Sequence, residues 1–101
     1  MKYLIAESQL DRIIFKFLDN LNLYMTEYGD SFLFFETNSP GPILVAAYRG
    51  RYDGYINSDL VVEVSKFFSL NMNISLEIIG KWVNTKIDFP VEEFYSDYGA
   101  D

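Results

Sequence analysis

The sequence predicts an α+β domain: a small antiparallel sheet of three to four strands packed against an N-terminal helix and a C-terminal helical hairpin. Three features point there. Leu10, Ile13, Ile14, Phe17, Leu18 and Leu21 recur at helical spacing. The chain then switches to short aromatic and β-branched runs broken by Gly, Pro and Asp. Apolar residues return at helical spacing from Leu60 to Ile87.

Each element has its own warrant. Met1 to Ile5 is a short apolar opening, suited to a strand or to the lead-in of a helix. Ser8 with Asp11 resembles a capping box, with Asp in place of the usual Glu or Gln. Arg12, Lys16 and Asp19 occupy the polar side of the helix that follows, and Phe15 falls off its apolar face. Residues 23–36 read as two aromatic-rich strands around Gly29-Asp30, a weaker hairpin signal than Asp-Gly. Neighbours in a strand face opposite ways, so either Phe34 or Phe35 is expected on the outer face, or the strand is covered twice. "NSPGP", Asn38 to Pro42, breaks any element, and "ILVAAY" then reads as a buried-type strand.

In "AYRGRYDGYIN", Ala47 to Asn57, Asp53-Gly54 is a hairpin dipeptide. Asn57 or Ser58 can cap a helix whose face is Leu60, Val61, Val64, Phe67 and Phe68; "LVVEV" alone would also suit a strand. "NMN" interrupts it, and Ser75 opens a third helix whose apolar side includes Ile78, Ile79, Trp82 and Val83. Gly80 in that helix allows close helix approach, and Pro90 closes the segment.

At 101 residues, half of them hydrophobic and 18% aromatic, the chain suits one modest core. Residues 1–87 are assigned to a single domain. Residues 88–101 form an acidic C-terminal segment that flexibility would suit. The net charge is -7, and Asp88, Glu92, Glu93, Asp97 and Asp101 contribute five of those charges without a compensating Lys or Arg. Direct nucleic-acid binding is therefore disfavoured. No run approaches the length of a membrane helix, and the opening residues make a poor signal peptide, so no membrane association and a cytoplasmic location are expected.

Catalytic chemistry finds little support. There is no cysteine or histidine, so a thiolate nucleophile, the usual neutral-pH proton shuttle and the commonest zinc ligands are missing. No Gly-x-Ser-x-Gly elbow, Walker loop or Rossmann fingerprint occurs. No cofactor, metal or catalytic residue is assigned, and the chain is not expected to be an enzyme. The consecutive C-terminal helices could suggest a helix-turn-helix, but Lys81, Asn84, Thr85 and Lys86 offer few readers beside an acidic end.

The residues best suited to binding are Arg49, Arg51, Tyr52, Tyr55, Phe15 and Phe35. Arg49 and Arg51 lie two apart, so on a strand they would share a face, with Tyr48 and Tyr52 on the other. The plainer alternative is a decorated hairpin whose acids neutralise both arginines. Protein partnership through an aromatic and arginine surface is the expected function. A self-assembling or virion structural subunit, and an acidic inhibitor of a host nucleic-acid enzyme, are the alternatives; homo-oligomerisation stays open.

Across "KYLIAESQLDRIIFKFLDN" (Lys2 to Asn20), Tyr52-Asp53-Gly54-Tyr55 and "SKFFSL…IIGKWV" (Ser65 to Val83), the chain resembles small uncharacterised proteins, or domains of them, encoded by tailed marine bacteriophages. The resemblance implies a phage accessory or virion-associated protein, acting in the host cytoplasm or associated with the virion. It transfers no activity and no site residues.

Overall fold

The helical spacing before Leu21 forms α1, Glu7–Asn20, in the computed structural model, which describes residues 7–36, 43–51 and 53–96. The Met1–Ile5 opening, the whole "NSPGP" break and Tyr52 lie outside the described residues. α1 is already helical at Glu7, so Ser8 lies within it and is not its boundary. Asn22, in the left-handed region at φ 54°, turns the chain out of the helix, a conformation that Asn tolerates better than most residues.

β1, Tyr24–Tyr28, and β2, Ser31–Phe35, are joined by Gly29-Asp30. Gly29 has φ +61° while Asp30 is not among the positive-φ residues, the pattern of a type II′ turn with Gly first. The Gly-Asp order is therefore the correct signal for this turn. β3, Ile43–Tyr48, pairs antiparallel with β2, with a bulge opposite Phe35. β4, Asp53–Ile56, pairs antiparallel with β3.

The loop between β3 and β4 corrects the expected turn. Gly50, at φ +88°, sits in it, and the Arg51 N–H donates to the Tyr48 carbonyl at 3.1 Å. Asp53-Gly54 instead begins β4. Gly54 is paired between Ala47 and Phe94, so it is a strand residue.

Asn57 caps α2, Ser58–Phe68: its side chain accepts from the Asp59 N–H at 2.7 Å. The strand alternative for "LVVEV" is thus excluded. α3 runs Met72–Asn84 and is capped by Asn71, whose side chain accepts from the Ile74 N–H at 2.8 Å. Ser75 does not open this helix. It is fully buried within it, and its hydroxyl shares a 2.7 Å hydrogen bond with that of buried Ser65 on α2. Truncating either hydroxyl leaves the other without its partner. Ser75→Ala should therefore cost about 1–2 kcal/mol, and the Ser65→Ala/Ser75→Ala pair less than the sum. Urea titration of the four variants measures that coupling.

Among the described residues the sheet has five strands, one or two more than the sequence suggested. β5, Glu93–Tyr95, comes from the segment set apart as acidic and pairs parallel to β4 at the edge, giving the order β1-β2-β3-β4-β5. Asn84 anchors the approach to β5: its side chain donates to the Val91 carbonyl and accepts from the Val91 N–H, both at 2.9 Å. Phe94 lies over Gly54 and Gly80 together. A Cβ at Gly80 would stand 2.5 Å from the Phe94 ring, and one at Gly54 would stand 2.7 Å from it. At Gly80 the close neighbour is therefore this aromatic ring of β5 and not the expected helix.

All three helices cover one side of the sheet. Ile14 and Leu18 from α1, Val61 and Val64 from α2, and Ile79 and Val83 from α3 meet Phe34, Val45 and Ile56 in one core. Trp82 tilts against Phe34 at 5.6 Å between ring centroids. α3 is the central helix, packed on both α1 and α2 and on β4 and β5.

Candidate functional site

Strand alternation and register divide the sheet's side chains between two faces. Phe32, Phe34, Val45, Ala47 and Ile56 are buried toward the helices. The opposite, outer face carries a continuous row across all five strands, Thr26–Leu33–Ala46–Tyr55–Tyr95. Tyr24 and Phe35 flank it on one side, and Tyr28, Ser31 and Tyr48 on the other. No described helix covers this face, and Tyr28, Tyr95, Tyr24 and Tyr48 are 78%, 50%, 44% and 36% exposed. Tyr55 and Tyr95 pack at 5.7 Å between centroids. Ala46 is nevertheless almost fully buried, at 3% exposure.

At strand spacing this platform is about 19 Å across and about 17 Å along the strands. It is apolar in body with hydroxyls at its surface, and its middle row holds no charged side chain. Charge begins at its end, where Asp53 pairs with Glu93 across β4 and β5.

The two arginines do not share a face. They sit in the turn after β3, and the Gly50 conformation sends them apart. Arg49 donates to Asp88 at 2.8 Å and stacks over Phe89 at 4.8 Å, and Phe89 in turn packs on Phe32 of the helix-covered face. Arg51 turns to the outer face, donating to both carboxylate oxygens of Asp53 at 3.1 and 3.3 Å and lying 5.7 Å from the Tyr48 ring. Both guanidinium groups are paired within their own chain. Arg51 with Asp53 forms part of the platform's rim, and Arg49 does not reach it.

The other expected residues separate as well. Phe35 and Tyr55 lie half-buried on the outer face. Phe15 is half-buried against the core, while Ile13, expected inside, is 46% exposed. Helical spacing placed Phe15 wrongly because α3 crosses α1 and widens its covered face. Sequence reasoning missed Tyr24, Tyr28, Leu33 and Tyr95 as members of one surface. Their alternation within each strand was a readable signal, but their union depends on register between strands. A second aromatic group, Phe17, Phe67 and Phe68, lies on the helical side, with Phe67 67% exposed and its ring 4.7 Å from Phe17.

Polar convergence is sparse. Among the described residues, no group of three or more carboxylates, histidines or cysteines is placed to hold a metal ion. An open cleft of about 430 Å³ between α3 and residues 91–94 includes Glu77, Lys81, Asn84 and Glu92. On the helical side, Asp19 accepts from Lys86 at 2.9 Å and from the Trp82 indole N–H at 3.0 Å. The Lys86 hydrogen bond first, then that of Trp82, holds the Asp19 carboxyl below its usual range against a smaller opposing effect of burial.

A depressed carboxyl pKa contributes stability above the unfolded-state value near 4, and that contribution is lost as pH falls through the folded value. Asp19→Asn should therefore be modestly destabilising at pH 7, by under about 1 kcal/mol for this half-exposed group. Its stability gap from the parent chain should close below about pH 4, measured by denaturant titration across pH.

Among the described residues, no helix is long and apolar enough to cross a membrane. Comparison of the chain with protein-family models, curated proteins and solved structures gives no match.

Proposed function

We propose that the protein is a non-enzymatic protein-binding accessory module whose contact surface is the outer face of its sheet. The observation that carries this reading is the concentration of Tyr24, Tyr28, Phe35, Tyr48, Tyr55 and Tyr95 on a face that no described helix covers. Tyrosine supplies large contact area with few rotatable bonds and a hydroxyl for water or a partner, so it suits the centre of an interface. A contiguous aromatic patch of a few hundred Å² is the kind of surface that marks a binding site on a folded domain.

The alternatives fit less well. Stacking of nucleobases also uses aromatic sheet faces, but it needs cations along the backbone path. The arginine beside this face is already engaged with Asp53, and the protein carries a net charge of -7. An acidic inhibitor would present its carboxylates over one face, whereas the middle of this platform has none. An origin among phage accessory proteins is consistent with such a role and adds no residue to it.

The test is capture of partners from cells that express the protein. The Tyr48→Ala/Tyr95→Ala variant should recover at least about tenfold less partner than the parent chain, the loss expected when two interface anchors are truncated. Arg49→Ala should recover a similar amount to the parent. Equal recovery by all three would contradict the assignment.

A further inference from the structure

Among the described residues, the outer edge of β1 has no partner strand and suits pairing. β1 ends the sheet among the described residues, and its five residues, Tyr-Met-Thr-Glu-Tyr, are mostly exposed. Three of the large hydrophobic side chains left in solvent, Tyr24, Met25 and Tyr28, belong to it. Exposed edges are usually blunted by charged side chains, especially Lys, by Pro or by a bulge. β1 has a single charged residue, Glu27, and no Lys or Pro, and its register with β2 runs unbroken from Tyr24 to Tyr28.

The hairpin fixes which backbone groups face outward. With a two-residue loop, Tyr28 and Ser31 form the closing hydrogen-bonded pair. Alternation then makes Thr26–Leu33 and Tyr24–Phe35 the other bonded pairs. Met25 and Glu27 therefore direct their N–H and C=O groups away from β2, toward the open edge.

We propose that this edge pairs antiparallel with β1 of a second copy about a two-fold axis at Thr26, joining two five-stranded sheets into one of ten. The sequence of the strand selects this occupant. In that register Met25 lies opposite Glu27 of the other copy, and these are the residues whose backbone groups are free, so four hydrogen bonds form. Tyr24 lies opposite Tyr28, and Thr26 opposite Thr26, all on the outer face. Aromatic and Thr–Thr cross-strand pairs are favourable. The two Glu27 carboxylates are diagonal rather than opposed, about 7–8 Å apart, where salt screens them. The seam thus extends the aromatic platform across both copies. This inference rests on reading that platform as a contact surface, and it names the copy that enlarges it.

The chain has no cysteine, so a single introduced thiol reports the register cleanly. Facing Cα atoms of a non-hydrogen-bonded pair are about 4.5 Å apart, within disulfide reach. Thr26→Cys should therefore oxidise to a covalent dimer. Met25→Cys should not, since its two copies would also be diagonal, about 7–8 Å apart, beyond that reach.

Sedimentation of the cysteine-free full chain should show a concentration-dependent dimer. Met25→Pro removes two of the four edge hydrogen bonds while leaving the β1–β2 ladder intact. It should weaken that dimer by roughly tenfold or more, with an unchanged circular dichroism spectrum. Three results would each overturn the pairing: a monomer at all concentrations, a dimer insensitive to Met25→Pro, or cross-linking at Met25→Cys but not at Thr26→Cys. None of these uses the outside partner. A monomer whose partner capture still depends on Tyr48 and Tyr95 would remove this inference and leave the proposed function standing.

Discussion

Gly80→Ala is expected to destabilise the protein by about 1–3 kcal/mol, although the same exchange inside an ordinary helix stabilises by roughly 1 kcal/mol. The sign reverses because of Phe94. Its ring lies between α3 and β4, and a Cβ on Gly80 would approach Phe94 Cδ2 to 2.5 Å and Cγ to 3.2 Å. The ring has little room to retreat, since a Cβ on Gly54 would already stand 2.7 Å from its Cε1 atom. An added methyl must push the ring and β5 outward together. β5 contributes three residues to the sheet, so that displacement would unpair the strand.

A double-mutant cycle tests the cause. In a Phe94→Ala background the obstacle is gone, and Gly80→Ala should become neutral or stabilising. Chemical denaturation of the four proteins reads the coupling directly. Destabilisation of equal size in both backgrounds would show that Gly80 is needed for some reason other than the ring.

Trp82→Ala should cost about 3–5 kcal/mol, enough to unfold much of a domain of ordinary stability. Trp82 is only 4% exposed and packs on Phe34, the buried central aromatic of β2. Its indole N–H donates to Asp19, tying α3 to the end of α1. Truncation therefore removes a large side chain at the junction of sheet and two helices, and leaves a cavity as well as a lost hydrogen bond. Trp82→Phe should cost less, since it keeps most of the packing and removes the donor. Thermal melts followed by circular dichroism suit both variants, because the only tryptophan is the one replaced.

Much of the fold was legible because local chemistry and tertiary packing agree. The apolar spacing in α1, α2 and α3 and the aromatic runs of β1 and β2 each marked their element. Caps are harder to read: Asn57 and Ser58 are equal candidates in sequence, Asn71 lies in a segment that reads as a break, and buried Ser75 has the chemistry of a cap. A serine looks alike in sequence whether it caps a helix or bonds another serine in the core. β5 was missed because three residues in an acidic stretch carry no periodicity. Its pairing depends on Phe94 meeting two glycines, Gly54 and Gly80, that are distant in sequence. For the arginines, spacing assumed a strand through Arg49 and Arg51, and one left-handed Gly50 ended it. Of the expected binding residues, Phe35 and Tyr55 belong to the platform, Arg51 stands at its rim, and Phe15 and Arg49 lie on the helical side.

The outer sheet face as the site of protein contact is most directly tested by photocross-linking in cells that express the protein. A photoreactive phenylalanine analogue would replace Tyr48, Tyr95 or, on the helical side, the exposed Phe67. Adducts to a partner protein should form from the Tyr48 and Tyr95 positions and be absent from the Phe67 position. Adducts from the Phe67 position, with none from Tyr48 or Tyr95, would move the contact to the helices and contradict the assignment.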